Sequence, residues 1–433
     1  MRSNSDAPSI TRGPDRSGVC RHRKTAHPNP AGVAGARRSI LVSAFGLLLL
    51  LPACNPDRPS PLTTPVLRDS ADIRIAENPR PAEGSRLGWQ IGPEPTVTIG
   101  AAEGGDHYLL NRVGRSVTLS DGSIVVPNGV SNEVRVFDAE GLHLRSWGGF
   151  GDGPGEFDEL HAVARWRGDS VAAWDQYPHR GVSIFDSEGN LGRVVALGMG
   201  QPDRSITILR GGAFMADHWL RREQGAGLLV QEQVFEIRDA DGVRIASLDP
   251  LIGREFFEFQ NRGMPVWMDI AFSRRVYVAA WRDLAVVSRN DRYELRGYEA
   301  DGRLRQIIRV DHTPIPVTES LIELRREERG GGVQFDQMPH PETLPAFTTI
   351  MSDALDHLWV REYDVPGEEG RHRLWTVFDP EGRVLGYVEM PEGMVMDEIG
   401  ADYVLGRRLG ERGVVQVALR PHFSYPHLRA HEK

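Results

Sequence analysis

A short pattern recurs five times along this chain and constrains its fold more than any other feature. Each copy is a run of strand-forming residues that ends in an acidic residue, followed by two residues and a glycine. The acidic positions are Asp138, Asp186, Asp239, Glu299 and Asp379, spaced 48, 53, 60 and 80 residues apart. An acidic side chain accepts hydrogen bonds from a turn backbone, and glycine takes a positive φ without strain. The pattern therefore predicts five β-hairpin turns at similar intervals.

A calcium-binding loop is the alternative interpretation of the same segments. Asp239-Ala-Asp241-Gly242 has the first acidic residues and the glycine of such a loop, but not its further oxygen ligands. We therefore favour the hairpin interpretation for this copy as well.

Each turn joins the third and fourth strands of a predicted four-stranded unit. The expected first strands are 115–119, 161–166, 205–209, 266–272 and 348–353. The expected second strands are 123–127, 170–174, 213–216, 275–280 and 357–361. The expected fourth strands are 143–147, 193–197, 244–248, 304–310 and 384–390. Four strands in each unit of about 50 residues are typical of a β-propeller blade.

A sixth unit requires both ends of the predicted domain. Residues 394–399, 403–407 and 414–419 supply three strands, and 95–100 supplies a strand of the fourth type. An N-terminal strand that completes the last blade would close the ring and remove its exposed sheet edges. The prediction is one all-β, six-bladed propeller over residues 71–421, followed by a tail, 422–433. A further strand, 73–77, has no predicted place.

Two blades carry the motif of a known repeat. Gly151-Asp-Gly-Pro-Gly-Glu-Phe157, with Asp175 after an apolar strand and then Val182–Gly189, resembles an NHL repeat. Residues 71–420 resemble bacterial six-bladed propeller lipoproteins of the NHL and TolB-like superfamily. The resemblance implies a propeller fold and an exported compartment, and it implies no particular reaction.

The N-terminal residues are typical of an export signal. Arg37 and Arg38 precede twelve apolar residues, which are too few to span a bilayer as a helix, and Leu51-Pro-Ala-Cys54 resembles a lipobox. We predict a leader over 1–53, acylation of Cys54, a disordered tether over 54–70, and attachment to a bacterial membrane facing the periplasm or the cell surface. The alternative is a buried apolar helix.

The distribution of charge also separates the predicted leader from the rest of the chain. The formal charge of −9 is the sum of +6 in residues 1–53 and −15 in the rest. An acidic mature domain argues against a nucleic-acid partner. Because Cys20 would leave with the leader and Cys54 would carry lipid, the mature chain would have no free thiol.

Function would be carried by the longer connections between strands. The longest is an insertion, 311–347, in which Thr318 is a candidate N-cap and Gly330–Gly332 would end a short helix. We interpret this helix as a lid or a partner contact, with packing on its own blade as the alternative.

The candidate binding residues follow the predicted second strands and would converge at the mouth of the central channel. They are Asp175, Asp217, His218, Trp281, Arg282, Asp283, Arg361, Tyr363 and Asp364. Such a mixed set could bind calcium or zinc, a carboxylate or a sugar, or could instead be structural salt bridges at a wet rim.

The chain has neither a Gly-x-Ser-x-Gly elbow nor a His-Glu-x-x-His motif. We therefore expect a monomeric binding or scaffolding module whose ligand is a protein or a carbohydrate. The alternative is a metal-dependent hydrolase or lyase that uses the Asp, His and Arg residues of the channel mouth.

Overall fold

The computed structural model describes residues 62–101, 103–176, 181–197, 206–220, 227–331, 333–368, 374–410 and 413–423. Within these ranges regular structure is almost entirely β, which confirms the predicted all-β class. The leader, Cys54, and the last ten residues, with His427 and His431, lie outside the described residues.

Four strands precede the first predicted unit: β1 (Val66–Ser70), β2 (Ile73–Asn78), β3 (Gln90–Ile91) and β4 (Val97–Ile99). The first two contradict part of the predicted tether, since Val66–Ser70 pairs with Ile73–Glu77 in an antiparallel hairpin. The β-branched and apolar residues of β2 supply the buried face that this hairpin needs.

The described strands after β4 form six sheets, numbered here in chain order. Sheet 1 contains β5 (Val117–Thr118), β6 (Ile124–Asn128), β7 (Glu133–Phe137) and β8 (His143–Gly148). Sheet 2 contains β9 (Leu160–Arg165), β10 (Val171–Asp175), β11 (Val182–Phe185) and β12 (Leu191–Val195). Both are antiparallel meanders in chain order.

Sheet 3 is longer than its neighbours. It contains β13 (Ile206–Ile208), β14 (Phe214–Trp219), β15 (Gly227–Arg238), β16 (Arg244–Ser247), β17 (Leu251–Asn261) and β18 (Met264–Asp269). The second half of β15 pairs with β14 and β16, and its first half pairs with β17. We call residues 227–233 with β17 and β18 the arm, because they extend beyond the four-stranded part of the sheet.

Sheets 4 to 6 complete the series. Sheet 4 contains β19 (Val276–Trp281), β20 (Leu284–Arg289), β21 (Glu294–Tyr298) and β22 (Leu304–Val310). Sheet 5 contains β23 (Phe347–Ser352), β24 (Leu358–Glu362), β25 (Leu374–Phe378) and β26 (Val384–Glu389). Sheet 6 contains β27 (Met394–Ile399), β28 (Tyr403–Leu409) and β29 (Val415–Phe423).

The N-terminal strands join two of these sheets. β2 runs parallel to β22 at the edge of sheet 4, with Arg74 opposite Gln306, which places the strand that had no predicted position. β4 pairs with β29 of sheet 6, with Val97 opposite Leu419, and β3 pairs with the end of β29. We call residues 79–96, which connect these two attachments, the strap.

The five acidic turns form as predicted. In each, the glycine N–H donates to the acidic residue's carbonyl oxygen over 2.9–3.1 Å, and the glycine φ lies between 83° and 91°. At Asp239 the carboxylate Oδ1 accepts the N–H groups of Asp241 and Val243, both at 2.9 Å. That carboxylate therefore serves the turn, as the hairpin interpretation requires.

The sequence assignment of sheet 4 was wrong by one strand. Residues 275–280, predicted as a second strand, form the first strand β19, and β20 occupies a segment predicted as a loop. Residues 266–272, predicted as the first strand, instead contribute to β18 of the arm. The cause is the β19–β20 turn, where Arg282 takes a φ of 55° and no glycine marks the hairpin.

The C-terminal boundary is also corrected. His422, predicted in the tail, lies in β29 opposite Ile91, and only 4% of it is exposed.

The core lies between the sheets. Separate apolar clusters join sheets 1 and 2, 2 and 3, 3 and 4, 4 and 5, and 5 and 6. A further cluster joins sheet 6 to sheet 1, where Val97 and Ile99 of β4 pack with Phe137 and Leu405. Each sheet thus buries one face on the preceding sheet and the other on the following sheet.

The described part of the insertion contains α1 (Glu319–Glu328) and α2 (Val333–Gln337), and short 3₁₀ turns occur at Asp106–Tyr108 and Arg210–Gly212. Thr318 caps α1 as predicted, because its side chain accepts the N–H of Leu321. Leu321 packs against an apolar cluster that contains Phe257 of the arm, and Tyr363 after β24 packs against the same cluster. The helix therefore lies against elements of sheets 3 and 5, and not only against its own insertion.

Candidate functional site

Three of the predicted binding residues lie at the ends of second strands, as expected. Asp175 ends β10, is buried, and accepts the N–H of Glu159 at 3.1 Å. Asp217 and His218 lie near the end of β14, and Asp217 is 1% exposed and accepts a hydrogen bond from Gln233. These contacts are local to sheets 2 and 3.

Three others lie at the opposite end of their sheet, which corrects their predicted position. Trp281, Arg282 and Asp283 form the end of β19 and the β19–β20 turn, so they do not follow a second strand. The Trp281 indole donates to the Asp356 carbonyl at 2.7 Å, and Arg282 donates to the Pro380 carbonyl at 2.8 Å. Trp281 and Arg282 thus bind turns of sheet 5 on the face that carries the acidic turns, and Asp283 pairs with Arg210 of sheet 3 at 3.9 Å.

The last three lie together at the end of β24: Arg361 is in the strand, and Tyr363 and Asp364 follow it. Arg361 pairs with Asp364 at 2.7 Å, and both side chains are about one-third exposed. Tyr363 packs in the cluster under α1, and its burial raises the pKa of its phenol. Of the nine predicted residues, Tyr363 is the one that lines the cavity described next.

This cavity, which we call the strap pocket, has a volume of about 670 Å³. Its walls come from the strap, from residues that follow β22, from those that precede β23, and from the ends of β24, β25 and β26. The parallel pairing of β2 with β22 brings the strap against the junction of sheets 4 and 5. Segments more than 200 residues apart in the chain thus meet at one site.

A fixed arginine lines the strap pocket. Arg80 donates from Nη1 to Nδ1 of His312 at 2.7 Å, and from Nη2 to Glu362 Oε2 at 3.1 Å. Glu362 itself is buried and its Oε1 accepts from the Tyr293 hydroxyl at 2.8 Å and from Thr376 at 2.6 Å. A guanidinium held at two points loses little further freedom when it binds a ligand.

The contact with Arg80 also fixes the protonation of His312. Arginine has donors only, so Nδ1 must accept and the neutral ring carries its proton on Nε2. Burial, and then the positive charge of Arg80, lower the pKa of His312 to about 4. His312 is therefore an uncharged donor at neutral pH. Burial together with the negative charge of Glu362 raises the pKa of Tyr293, which stays protonated.

The walls of the strap pocket combine apolar and charged groups. Ile315, Val365 and Leu374 give it an apolar side. Its charged lining consists of two arginines and four glutamates, a formal charge of −2 with His312 neutral: Arg80, Arg86, Glu83, Glu362, Glu368 and Glu389. The site can accordingly hold a small organic molecule with both polar and apolar parts.

A second cavity, of about 290 Å³, lies among the first strands of all six sheets. At its wall Glu398 accepts from Arg165 at 2.9 Å and from the Tyr403 hydroxyl at 2.7 Å, and Thr118 completes the network. The polar groups of this network therefore bind one another.

Among the described residues, no group of three or more His, Cys, Asp or Glu side chains is placed to hold a metal ion. In the same part of the chain, no helix combines the length and apolar character that crossing a bilayer requires.

Sequence reasoning missed Arg80 and His312 and did not single out Glu362. Glu362 is the last residue of β24, and Arg80 and His312 each come two residues after a strand. However, β2 had no predicted partner, and its partner β22 lies about 230 residues away. A correct placement of β2 would have brought Arg80 and His312 to the same sheet edge.

No protein-family model and no curated protein sequence matches the chain. Among solved structures, it is similar to a Bacteroides fragilis protein predicted to be exported, with 10% identity over 80% of this chain and 99% of the other, and a TM-score of 0.45. It is similar to a catalytically inactive virginiamycin B lyase from Staphylococcus aureus, with 10% identity, coverages of 76% and 98%, and a TM-score of 0.36. It is also similar to the β-propeller domain of Cps50 (Swd1) from Myceliophthora thermophila, with 11% identity, coverages of 76% and 99%, and a TM-score of 0.36.

Proposed function

We propose that the six sheets are the blades of a closed β-propeller, and that β4 completes the sixth blade. Two observations support this arrangement. The apolar clusters join each sheet to the next and sheet 6 to sheet 1, and one cavity is lined by the first strands of all six sheets. Closure by β4 would complete the sixth blade with a fourth strand, which pairs with β29.

We further propose that the propeller is exported, tethered through acylated Cys54, and faces the periplasm or cell surface as a monomer. The support is the apolar segment after Arg37-Arg38 and the lipobox-like Leu51-Pro-Ala-Cys54. Incorporation of labelled palmitate into the wild-type chain, and its loss in Cys54→Ser, is the expected result. Equal labelling of both chains would remove the anchor from the proposal.

The proposed activity is ligand binding in the strap pocket, without chemical conversion. One observation carries this proposal: the Arg80 guanidinium, fixed between neutral His312 and buried Glu362, lines a preformed cavity of about 670 Å³. Burying charged and polar groups costs free energy unless they are paired, and this network pairs them next to an open volume. Concave sites with a few oriented polar groups and apolar walls are the usual form of small-ligand sites.

The test is a thermal-shift screen of the full chain against a library of peptides, glycans and small organic anions. Each compound that raises the melting temperature is measured again with Arg80→Met, which keeps the aliphatic length and removes the donors. The matched control is Arg193→Met, which removes another arginine from an ion pair, with Asp241 in a different region. The proposal requires hits that act on wild type and Arg193→Met but not on Arg80→Met.

A screen in which no compound depends on Arg80 would contradict it. Because Arg80→Met also leaves Glu362 without its cation, circular dichroism of the variant establishes first that it is folded. If it does not fold, Ile315→Trp, which would fill the apolar side of the pocket, replaces it in the same comparison.

A further inference from the structure

We propose that the strap pocket binds the C-terminal end of a short peptide, with the terminal carboxylate on Arg80 and His312. This inference rests on the proposed function, because it names the ligand class for the same pocket. Three features of the pocket support it: the donors of Arg80 and His312 in its lining, the charge of that lining, and its apolar residues.

The donors of Arg80 and His312 match a carboxylate. Of the five N–H bonds of Arg80, two are used by described residues, one on His312 and one on Glu362. The remaining bonds belong to a planar group whose geometry fits the two oxygens of a carboxylate. His312 adds an N–H at Nε2 without adding a positive charge, since its Nδ1 accepts from Arg80. A single carboxylate is thus matched by one guanidinium and one neutral donor.

The charge of the lining excludes a highly charged anion and favours a ligand with a positive group. Four carboxylates and two guanidiniums line the pocket, so a phosphate dianion would enter a region that is already negative. Arg86 and Glu389, 3.5 Å apart, belong to the strap and to β26, whereas Glu362 ends β24. An ammonium group, at the N-terminus or on a lysine side chain of the peptide, would be attracted by these glutamates while the carboxylate stays on Arg80.

The apolar side gives the peptide its third contact. Ile315, Val365 and Leu374 come from three different segments and line one cavity with Tyr363. A C-terminal residue with an aliphatic side chain would bury it against this surface. A volume of about 670 Å³ lies within the range of pockets for ligands of this size. A carbohydrate would use neither the separation of charge nor this aliphatic surface.

The test uses the full chain and three synthetic tripeptides in isothermal titration calorimetry. They are Lys-Ala-Leu with a free carboxylate, the same peptide with a C-terminal amide, and the N-acetylated acid. We expect the amide to bind at least about tenfold more weakly than the acid, because it loses the charge-assisted bonds to Arg80. We expect acetylation to weaken binding about threefold, because the lysine side chain keeps one positive charge. The comparison needs no variant protein, so it does not depend on how Arg80→Met folds.

The outcomes separate the ligand class from the proposed function. Equal affinity of the acid and the amide would overturn the carboxylate assignment. Failure of all three peptides, together with a glycan or other compound that binds wild type and Arg193→Met but not Arg80→Met, would overturn the peptide class and leave the pocket's binding function standing. If no compound binds in an Arg80-dependent manner, both proposals fail.

Discussion

Truncation of Ile99 tests most directly whether β4 is part of the cooperative fold, as the proposed closure requires. Ile99 is fully buried in β4, where it packs with Val97, Phe137 and Leu405 between sheets 6 and 1. Ile99→Ala removes three buried carbon atoms and leaves a cavity that the sheets can close only in part. Such substitutions cost about 2–5 kcal/mol, and we take about 3 kcal/mol for this site.

That free energy has a measurable size in a domain of about 360 residues. The unfolding entropy of such a domain is about 0.76 kcal/mol per kelvin, so a loss of about 3 kcal/mol lowers the melting temperature by about 4 °C. Urea unfolding followed by tryptophan fluorescence gives the same quantity at 25 °C. If β4 belongs to the cooperative unit, the transition stays single, with its midpoint lowered and its slope unchanged.

The adjacent Thr98 supplies the control. Its side chain is exposed on the other side of the same three-residue strand, so Thr98→Ala should change the free energy of unfolding by less than about 0.5 kcal/mol. Equal effects of the two substitutions would refute the reasoning, because β4 would then contribute no buried contact to the stability of the domain. A second, separate transition in Ile99→Ala would show that the strand does not unfold with the sheets.

Two further predictions concern the strap pocket and the acidic turns. His312 has a pKa lowered to about 4 in the fold, so the unfolded chain binds its proton first, and stability falls as the pH drops from 6.5 towards 4. The full shift in pKa corresponds to about 3 kcal/mol, which we reduce to about 2 kcal/mol for partial exposure. Urea unfolding at pH 7.0 and 4.5 should therefore show that the free energy of unfolding of wild type falls by that amount relative to His312→Gln. An equal difference between the two proteins at both pH values would contradict the assignment. Gly189→Ala should destabilise by about 2–4 kcal/mol, because φ is 91° and the new Cβ would lie 2.4 Å from Cε3 of Trp147. Gly168→Ala, at a φ of 58° with open space around it, should cost only about 1 kcal/mol, and equal melting temperatures of these two variants would rule out the close approach as the cause.

The repeating part of the fold was predictable because each of its turns requires particular residue types at fixed positions. A carboxylate that binds two backbone N–H groups and a glycine with positive φ leave the same trace at Asp138, Asp186 and Asp379. Where the trace is missing, the prediction failed. The β19–β20 hairpin turns at Arg282 with a positive φ, and the polar residues there made a real hairpin look like a loop. One missed turn then displaced the first two strands of sheet 4.

The candidate site was less predictable, for a different reason. Tyr363 was found because it directly follows a second strand, a rule that depends only on order within one unit. Arg80 and His312 meet through the parallel pairing of β2 with β22, which no local pattern in either strand specifies. Propensity and periodicity mark the strands themselves, whereas the partner of an edge strand depends on which edge is left open after all the sheets have formed.

The strap connects the strap pocket to β4, the proposed closing strand. It is fixed at one end by β2 on sheet 4 and at the other by β4 on sheet 6, and between them Leu87 donates to the Tyr387 carbonyl of sheet 5 at 2.7 Å. Arg80 therefore sits on a segment whose two ends are held by different sheets. A ligand in the pocket would bind only the form of the protein in which the strap is attached to the sheets. By linkage, ligand binding would therefore lower the fraction of molecules in which the strap is detached. We expect Lys-Ala-Leu to slow hydrogen exchange at the Leu87 amide and to leave exchange in sheet 2 unchanged. If the peptide changes the exchange rate at Leu87 no more than it does in sheet 2, the pocket and the strap are energetically independent.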